Sequence, residues 1–174
     1  MWLSVFILAA VTLERGVELL IAGRNTRRLK AAGATEVGAA HYPLIVGLHA
    51  AWLLTLWLTA WNRPAQPVLL ALFVLLQAAR IWVLATLGPR WTTRIIVLPE
   101  APLVRRGPYR FVDHPNYLVV VGEIAVLPLV FGLVGVAALF SVLNLLVLGL
   151  RIRTEDAALG RRLDPRQGQP NLHL

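Results

Sequence analysis

The sequence predicts an all-α integral membrane protein, a single domain over residues 1–174 with five transmembrane helices. Composition is the first observation: 57% of the residues are hydrophobic, only 15% are charged, and the mean hydropathy is +0.67. Soluble domains average about 45–50% apolar and 25% charged residues. The second observation is a series of apolar runs that approach the roughly 20 residues needed to cross a bilayer. The chain has no cysteine, which excludes disulfides, thiolate metal sites and cysteine nucleophiles.

The first three helices are predicted at about residues 2–21, 44–61 and 68–87. The first run lacks a cleavage motif and carries Glu14, Arg15 and Glu18 where a signal peptide is most apolar, so we expect a retained helix. A basic connection interrupted by glycines should follow it. Gly88-Pro89 should end the third helix.

The segment 90–116 is polar, basic and broken by prolines, and it is longer than a plain connection. We therefore expect the functional site there. The apolar stretch 117–150 is too long for one span and short for two. It predicts a C-terminal helical hairpin, broken near Pro128 and residues 132–135, with helices at about 117–131 and 133–163.

The net charge of +8, from 17 Lys and Arg against 9 Asp and Glu, indicates membrane topology rather than nucleic-acid binding. Three basic regions, around Arg24–Lys30, in 90–116 and after Leu150, should share one side, and only Arg63 lies on the other. The positive-inside rule then predicts an N-terminus outside, with the C-terminus and the 90–116 segment in the cytoplasm.

One candidate motif is the segment LVRRGPYRFVDHPNY at residues 103–117. Its Gly-Pro and His-Pro steps fix turns before a helix begins, with Pro115 at a position that helices tolerate. The free N–H groups there, beside His114 and two tyrosine rings, would suit a ligand with a carboxylate and a flat heterocycle. The alternative is an interfacial turn with snorkelling arginines and belt tyrosines.

A second candidate motif is RIRTEDAAL at residues 151–159, in which Arg151 and Glu155 share one helix face. A cation and an anion on one face would suit both a zwitterionic cofactor and an acidic substrate. The alternative is an ordinary solvated salt bridge.

Several polar residues lie inside the predicted spans. Arg15 and Glu18 are at pairing distance along one helix, or they line a substrate tunnel. For Gln77 and Arg80, snorkelling of Arg80 is the simpler interpretation. His41 and His49 have no acidic or thiol partner at ligand spacing, so no metal site is expected.

Together the two motifs resemble the isoprenylcysteine carboxyl methyltransferase (ICMT) family, in the wider group of integral-membrane methyltransferases that includes phospholipid N-methyltransferases. The family elements G-x-Y, H-P-x-Y and R-x-x-x-E-[ED]-x-x-L occur in order within residues 90–160. The N-terminal half is similar to a bacterial branch whose members O-methylate alkylpyrones or alkylresorcinols, which implies a bacterial inner membrane. The residues that carry this second likeness are Glu14–Leu20, Arg24-Asn25, His41-Tyr42-Pro43 and Leu48-His49.

The resemblance implies that S-adenosylmethionine (SAM) binds without a dinucleotide-binding domain, in agreement with the absence of G-x-G-x-x-G. It also implies a cytoplasmic cofactor-binding loop at 90–116. The cofactor residues it implies are Arg94, Ala101, Pro102, Leu103, Val104, Tyr109, His114, Pro115, Asn116, Tyr117 and Glu155. Two positions depart from the family pattern: Asp113 replaces the usual arginine before His-Pro, and Asp156 replaces the second glutamate.

The predicted reaction is SAM-dependent O-methylation of a carboxyl or hydroxyl group on a lipophilic small molecule that reaches the site from the membrane lipids. Arg151 would hold the acceptor oxyanion, and His114 or Glu155 would assist deprotonation of a hydroxyl. Acceptors left open are a prenylcysteine-like carboxylate and a polyketide alkylpyrone or alkylresorcinol. The alternatives are a phospholipid N-methyltransferase, an NADPH-binding sterol-reductase-like protein and a non-enzymatic membrane scaffold.

Overall fold

The structure is a computed structural model that describes residues 2–98 and 104–163. Five α-helices dominate it, and they confirm the all-α prediction. They are α1 (Trp2–Ala31), α2 (Tyr42–Ala60), α3 (Pro67–Leu87), α4 (Pro115–Val130) and α5 (Val134–Leu163). Two short strands, β1 (Thr35–Val37) and β2 (Ile95–Val97), pair antiparallel with Glu36 opposite Ile96. Short 3₁₀ turns lie at Ala39–His41, Gly88–Arg90 and Gly107–Arg110.

The first helix is longer than the sequence analysis predicts. The expected basic connection after residue 21 is wrong, because the backbone stays helical to Ala31. From Arg24 to Ala32 the chain has no glycine or proline, so nothing in the sequence stops the helix. Gly33, with φ of +87°, then turns the chain and leads it into β1.

Among the residues that the structure describes, three helical segments are long and apolar enough to cross a membrane: Ala39–Ala60, Pro67–Arg90 and Val134–Glu155. Of the other two helices, α1 is interrupted by charges and α4 is shorter. These segments identify the chain as an integral membrane protein. The hairpin between α4 and α5 turns at residues 131–133, with Gly132 at φ of +70°, while Pro128 lies inside α4.

The helices alternate in direction, so the molecule has two distinct ends. At one end Ser4 Oγ donates to the Arg63 carbonyl, and the Gln66 amide donates to the Val130 carbonyl at 2.8 Å. Between the ends, a core cluster buries Leu8, Leu56, Ile124 and Leu127, among others. At the opposite end the two strands, the 3₁₀ turns and the last turns of α5 come together. We call this second end the site end.

A network of charged side chains lies buried between α1, α3 and α4. Arg80 is 6% exposed, Glu18 5% and Glu123 2%. Arg80 donates to Glu18 and, at 2.9 Å, to Glu123, so the predicted snorkelling of Arg80 is wrong. Two carboxylates from neighbouring helices satisfy the guanidinium inside the bundle, a partnership that the sequence of α3 alone does not show.

The predicted pairing of Arg15 with Glu18 is present at 2.9 Å. Arg15 also bonds Glu123 at 2.9 Å, and Gln77 donates to Glu14. The buried network therefore consists of Glu14, Arg15, Glu18, Gln77, Arg80 and Glu123.

Candidate functional site

A tyrosine hydroxyl connects the two charged residues of the second motif. Arg151 and Glu155 lie one turn apart on α5, as their spacing predicts. Arg151 Nε donates to Tyr117 Oη at 2.8 Å, and the same hydroxyl donates to Glu155 Oε2. The first turn of α4 and the last part of α5 therefore hold a cation and an anion on either side of one phenol.

Arg151 makes two further contacts that fix its position. Its Nη1 donates to the Thr93 carbonyl at 2.8 Å, just before β2. Its guanidinium carbon lies 5.6 Å from the centroid of the Tyr117 ring, within the range of a cation–π interaction. A planar cation held from both sides is oriented before any ligand arrives, which favours binding of an oxyanion.

The His-Pro-Asn-Tyr sequence forms the start of α4. Proline occupies the first helical position, where its missing N–H costs no hydrogen bond. The His114 ring stacks on Tyr117 with centroids 5.2 Å apart and planes 19° from parallel. Asn116 Oδ1 is buried and has no hydrogen-bond partner among the described residues. A buried acceptor without a partner is suited to an N–H donor from a ligand.

The 3₁₀ turn Gly107–Arg110 brings Tyr109 close to the same carboxylate. Burial, followed by the negative charge of Glu155, raises the pKa of Tyr109 to about 12. The turn packs on the end of α3, where a Cβ at Gly107 would lie 2.5 Å from Thr86 Oγ1. Gly107 has φ of +57°, so both its conformation and its packing call for glycine.

Arg94 lies on the opposite side of Arg151, next to the first turn of α2. It pairs with Glu36 at 2.5 Å, and its guanidinium carbon lies 4.1 Å from the centroid of the Tyr42 ring. Glu36 also pairs with Lys30. Hydrogen bonds from Lys30 and then Arg94 lower the pKa of Glu36, and the bond to Glu36 raises the pKa of Arg94.

A small cavity opens between these groups. Its walls are the first turns of α2, the two strands and Arg151, and its lining includes Tyr42, Ile45 and Arg94. The wall is charged near Arg94 and Arg151 and apolar along α2. The cavity has a volume of about 10 Å³, room for about one water molecule, so it marks where charged and apolar surfaces meet.

The structure brings most of the predicted site residues together around Tyr117, but one of them lies apart. Arg151, Glu155 and His114 contact Tyr117, and Pro115 and Asn116 precede it in the first turn of α4. Tyr109 lies near enough to Glu155 to feel its charge, whereas Arg94 lines the cavity together with Arg151. Val104 is half-buried. Ala101, Pro102 and Leu103 lie outside the described residues, as does the side chain of Asp156, while Asp113 is exposed.

Tyr42 and Thr93 are site residues to which the sequence predicts no role. Tyr42 belongs to the resemblance through His41-Tyr42-Pro43, and its position before a proline at a helix start is the available signal. Thr93 contributes only its carbonyl, for which no sequence signal exists. No group of three or more His, Cys, Asp or Glu residues that could hold a metal occurs in the described part of the chain.

Comparisons with known proteins match the chain to one family model and to uncharacterized relatives. A family model described as the isoprenylcysteine carboxyl methyltransferase (ICMT) family matches residues 69–161. The chain is 37% identical to "Uncharacterized protein YpbQ" of Bacillus subtilis, over 88% of this chain and 94% of that protein. It is 28% identical to an "Uncharacterized protein" of Haemophilus influenzae, over 87% and 91% respectively. No solved structure matches the chain.

Proposed function

The chain belongs to the isoprenylcysteine carboxyl methyltransferase family, a family of membrane methyltransferases, and from this premise we propose that it methylates an oxygen of a lipophilic acceptor with SAM. The Tyr117 hydroxyl, bonded to both Arg151 and Glu155, is the observation that carries the proposal. Through this hydroxyl, the cation proposed for the acceptor, Arg151, and the anion proposed for the cofactor, Glu155, belong to one hydrogen-bonded group.

The side chains around Tyr117 fit SAM by their chemistry. Glu155 offers a carboxylate to the cofactor's cationic groups, and Asn116 Oδ1 offers a buried acceptor to an N–H donor. His114 and Tyr117 offer aromatic faces to a flat heterocycle. When bound, the cofactor supplies an electrophilic methyl group on a sulfonium.

The protein's main contribution to the reaction is alignment. We assign Arg151 to the acceptor oxyanion, because its guanidinium is already held by Tyr117 and Thr93. We assign His114 and Glu155 to the cofactor side and keep both as candidate proton acceptors for a hydroxyl substrate. A carboxylate acceptor needs no base, whereas a phenol does.

The acceptor class follows from the charge of the site. An amine acceptor such as a phospholipid would favour an acidic pocket over Arg151, so we propose an oxygen acceptor. Prenylcysteine-like carboxylates and alkylpyrones or alkylresorcinols both combine an acidic oxygen with an apolar tail. We propose that the tail enters laterally between helices and that SAM enters from the cytoplasm of a bacterial cell.

Calorimetric titration of the detergent-solubilised protein with SAM and its demethylated product tests the proposal. We expect binding in the micromolar range, loss of binding in Glu155→Ala, and retained binding but loss of methyl transfer in Arg151→Ala. The reverse pattern would contradict the two roles. Binding of NADPH in place of SAM would support a reductase, and binding of neither would support a scaffold.

A further inference from the structure

A histidine of α2 lies one turn deeper in the molecule than the cavity beside Arg151. His49 follows Ile45 by four residues and Tyr42 by seven, so the three side chains share one face of the helix. Ile45 and Tyr42 line the cavity. His49 is half-buried and lies on the membrane side of them.

The hydrogen bonding of His49 leaves one ring nitrogen available. Nδ1 lies 2.9 Å from the Ile45 carbonyl, which can only accept a hydrogen bond, so Nδ1 carries the proton. In the neutral ring the lone pair is then on Nε2. Nε2 has no hydrogen-bond partner among the side chains that the structure describes.

The charges around His49 place it between the candidate site and the buried network. It lies within charge-interaction range of Arg151 on α5, Arg15 on α1 and Arg80 on α3. Arg15 and Arg80 pair with three carboxylates, those of Glu14, Glu18 and Glu123 on α1 and α4. The charges that act on the ring are therefore those of three guanidinium groups, which favour the neutral ring whose lone pair can accept a proton.

We propose that His49 is the general base that accepts the proton of a hydroxyl acceptor whose oxygen is held by Arg151. The inference rests on the proposed function and narrows its acceptor to a phenol or enol. The acceptor O–H bond breaks and its proton passes to Nε2. The freed oxygen pair forms the O–CH₃ bond while the S–CH₃ bond breaks with its electrons left on sulfur, and His49 then releases the proton to water.

The two bases considered above are engaged elsewhere in the site. Glu155 accepts the Tyr117 hydroxyl, and His114 stacks on the same ring from the start of α4. His49 lies on the face of α2 that carries the cavity residues Tyr42 and Ile45, one turn deeper than Ile45. This division leaves the cofactor groups on α4 and α5 and the proton acceptor on α2.

The test compares two acceptors with matched apolar tails, an alkylresorcinol and a prenylcysteine carboxylate. The variant is His49→Asn, whose amide retains a donor for the Ile45 carbonyl but offers no base, and His49→Gln is the second variant. We expect methylation of the alkylresorcinol to fall about 100-fold. Methylation of the carboxylate should stay within about threefold, because that oxygen is already ionised.

The pH profile separates a base from a structural residue. The residual rate of His49→Asn on the alkylresorcinol should rise toward the phenol's own pKa of about 10. Calorimetric SAM binding serves as the check that both variants are folded.

Several outcomes overturn the role of His49. These are an equal loss on both acceptors, no loss on either, or an acceptor-selective loss in His114→Asn instead. A wild-type protein that methylates the carboxylate but not the alkylresorcinol also overturns it and leaves the proposed function standing. A wild-type protein that binds no SAM defeats the proposed function and, with it, this inference.

Discussion

The hydroxyl of Tyr117 is a single atom on which both charged residues of the site depend. It accepts from Arg151 and donates to Glu155, so its removal takes one partner from each. Hydrogen bonds to charged groups contribute about 1.5–3 kcal/mol each, more than those between neutral groups. Loss of this one oxygen would therefore weaken the positioning of both charged side chains.

Replacing Tyr117 with phenylalanine should lower kcat/KM for methyl transfer by about 10-fold or more. The ring and its stacking on His114 remain, but Arg151 and Glu155 lose their common partner. Steady-state kinetics at saturating SAM would measure the loss. Tyr117→Ala should cost more, since the stacking is lost too, and a Tyr117→Phe enzyme with wild-type kinetics would show that the hydroxyl is dispensable.

At the scale of elements, the two short strands form a strap across the site end. The strap is β1 with β2, and Thr93, whose carbonyl Arg151 contacts, and Arg94 come directly before β2. Glu36 ties it to Lys30 and Arg94. The two strands pair through only three residue pairs, centred on Glu36–Ile96, and so short a two-stranded sheet is at best marginally stable. The ion pairs of Glu36 are therefore the main additional support of the strap.

The strap should lose stability in acid. The pKa of Glu36 is lowered below its usual 4.5, so the ion pairs stabilise the strap above that pH and the stabilisation disappears as the pH falls through the lowered pKa. Hydrogen exchange of residues 34–38 and 94–98, corrected for the intrinsic rate, would measure this. Glu36→Gln should give low protection at every pH. An unchanged pH dependence in that variant would mean that another group titrates.

The loop turn at Gly107 should tolerate no side chain. In Gly107→Ala the new Cβ would meet Thr86 Oγ1 at 2.5 Å and displace the turn that carries Tyr109. We expect the affinity for SAM to fall about 10-fold, which corresponds to about 1.4 kcal/mol of binding free energy. Gly132→Ala is the matched control, because Gly132 also has positive φ but has nothing within 4 Å of a Cβ. Calorimetry compares the two, and Thr86→Ala should partly restore the Gly107→Ala variant.

Element by element, the sequence was informative where the signal is local. Arg151 and Glu155 share a helix face because four residues make about one turn, and the apolar stretch after Asn116 was long enough to require a hairpin. The end of α1 lies ten residues beyond the predicted end at residue 21, because Arg and Lys are good helix formers and a cluster of them does not break a helix. The strand pairing depends on residues 60 positions apart, Glu36 and Ile96, and no local pattern marks it.

Contacts between helices are not predicted from the sequence, either in the buried network or in the candidate site. Glu123 is one acid in an apolar helix, and its partners Arg15 and Arg80 belong to other helices. Pairing across helices is decided by packing, which periodicity does not report. The Tyr117 link was not predicted either, because a phenol's hydrogen bonds are set by where two helices meet.

At the scale of the whole molecule, the buried network joins α1 to the part of the chain that the family model matches, residues 69–161. Arg80 contacts Glu18 of α1 and Glu123 of α4 at once. Arg80→Ala leaves these carboxylates with Arg15 alone, and we expect a loss of about 3–5 kcal/mol in unfolding free energy. Thermal unfolding in detergent would measure it, with the exposed Arg63→Ala as control.

A double variant distinguishes charge pairing from packing in this network. Arg80→Met combined with Glu123→Leu removes one charge of each sign and should unfold at a higher temperature than Arg80→Met alone, which keeps a similar volume but leaves Glu123 without Arg80. If the double variant is no more stable than Arg80→Met, the Glu123 carboxylate left by Arg80 is not the source of the cost.

The orientation of the molecule in its membrane follows from where the fold gathers its arginines. The site end carries Arg27, Arg94 and Arg106 as well as Arg151, whereas the opposite end carries Arg63. The positive-inside rule therefore predicts the site end in the cytoplasm, where a polar cofactor can reach it. Because the chain has no cysteine, single substitutions can be labelled without background. A membrane-impermeant maleimide should label Asn62→Cys in intact cells and Arg27→Cys only after permeabilisation, and the opposite pattern would invert the orientation and place the candidate site outside the cell.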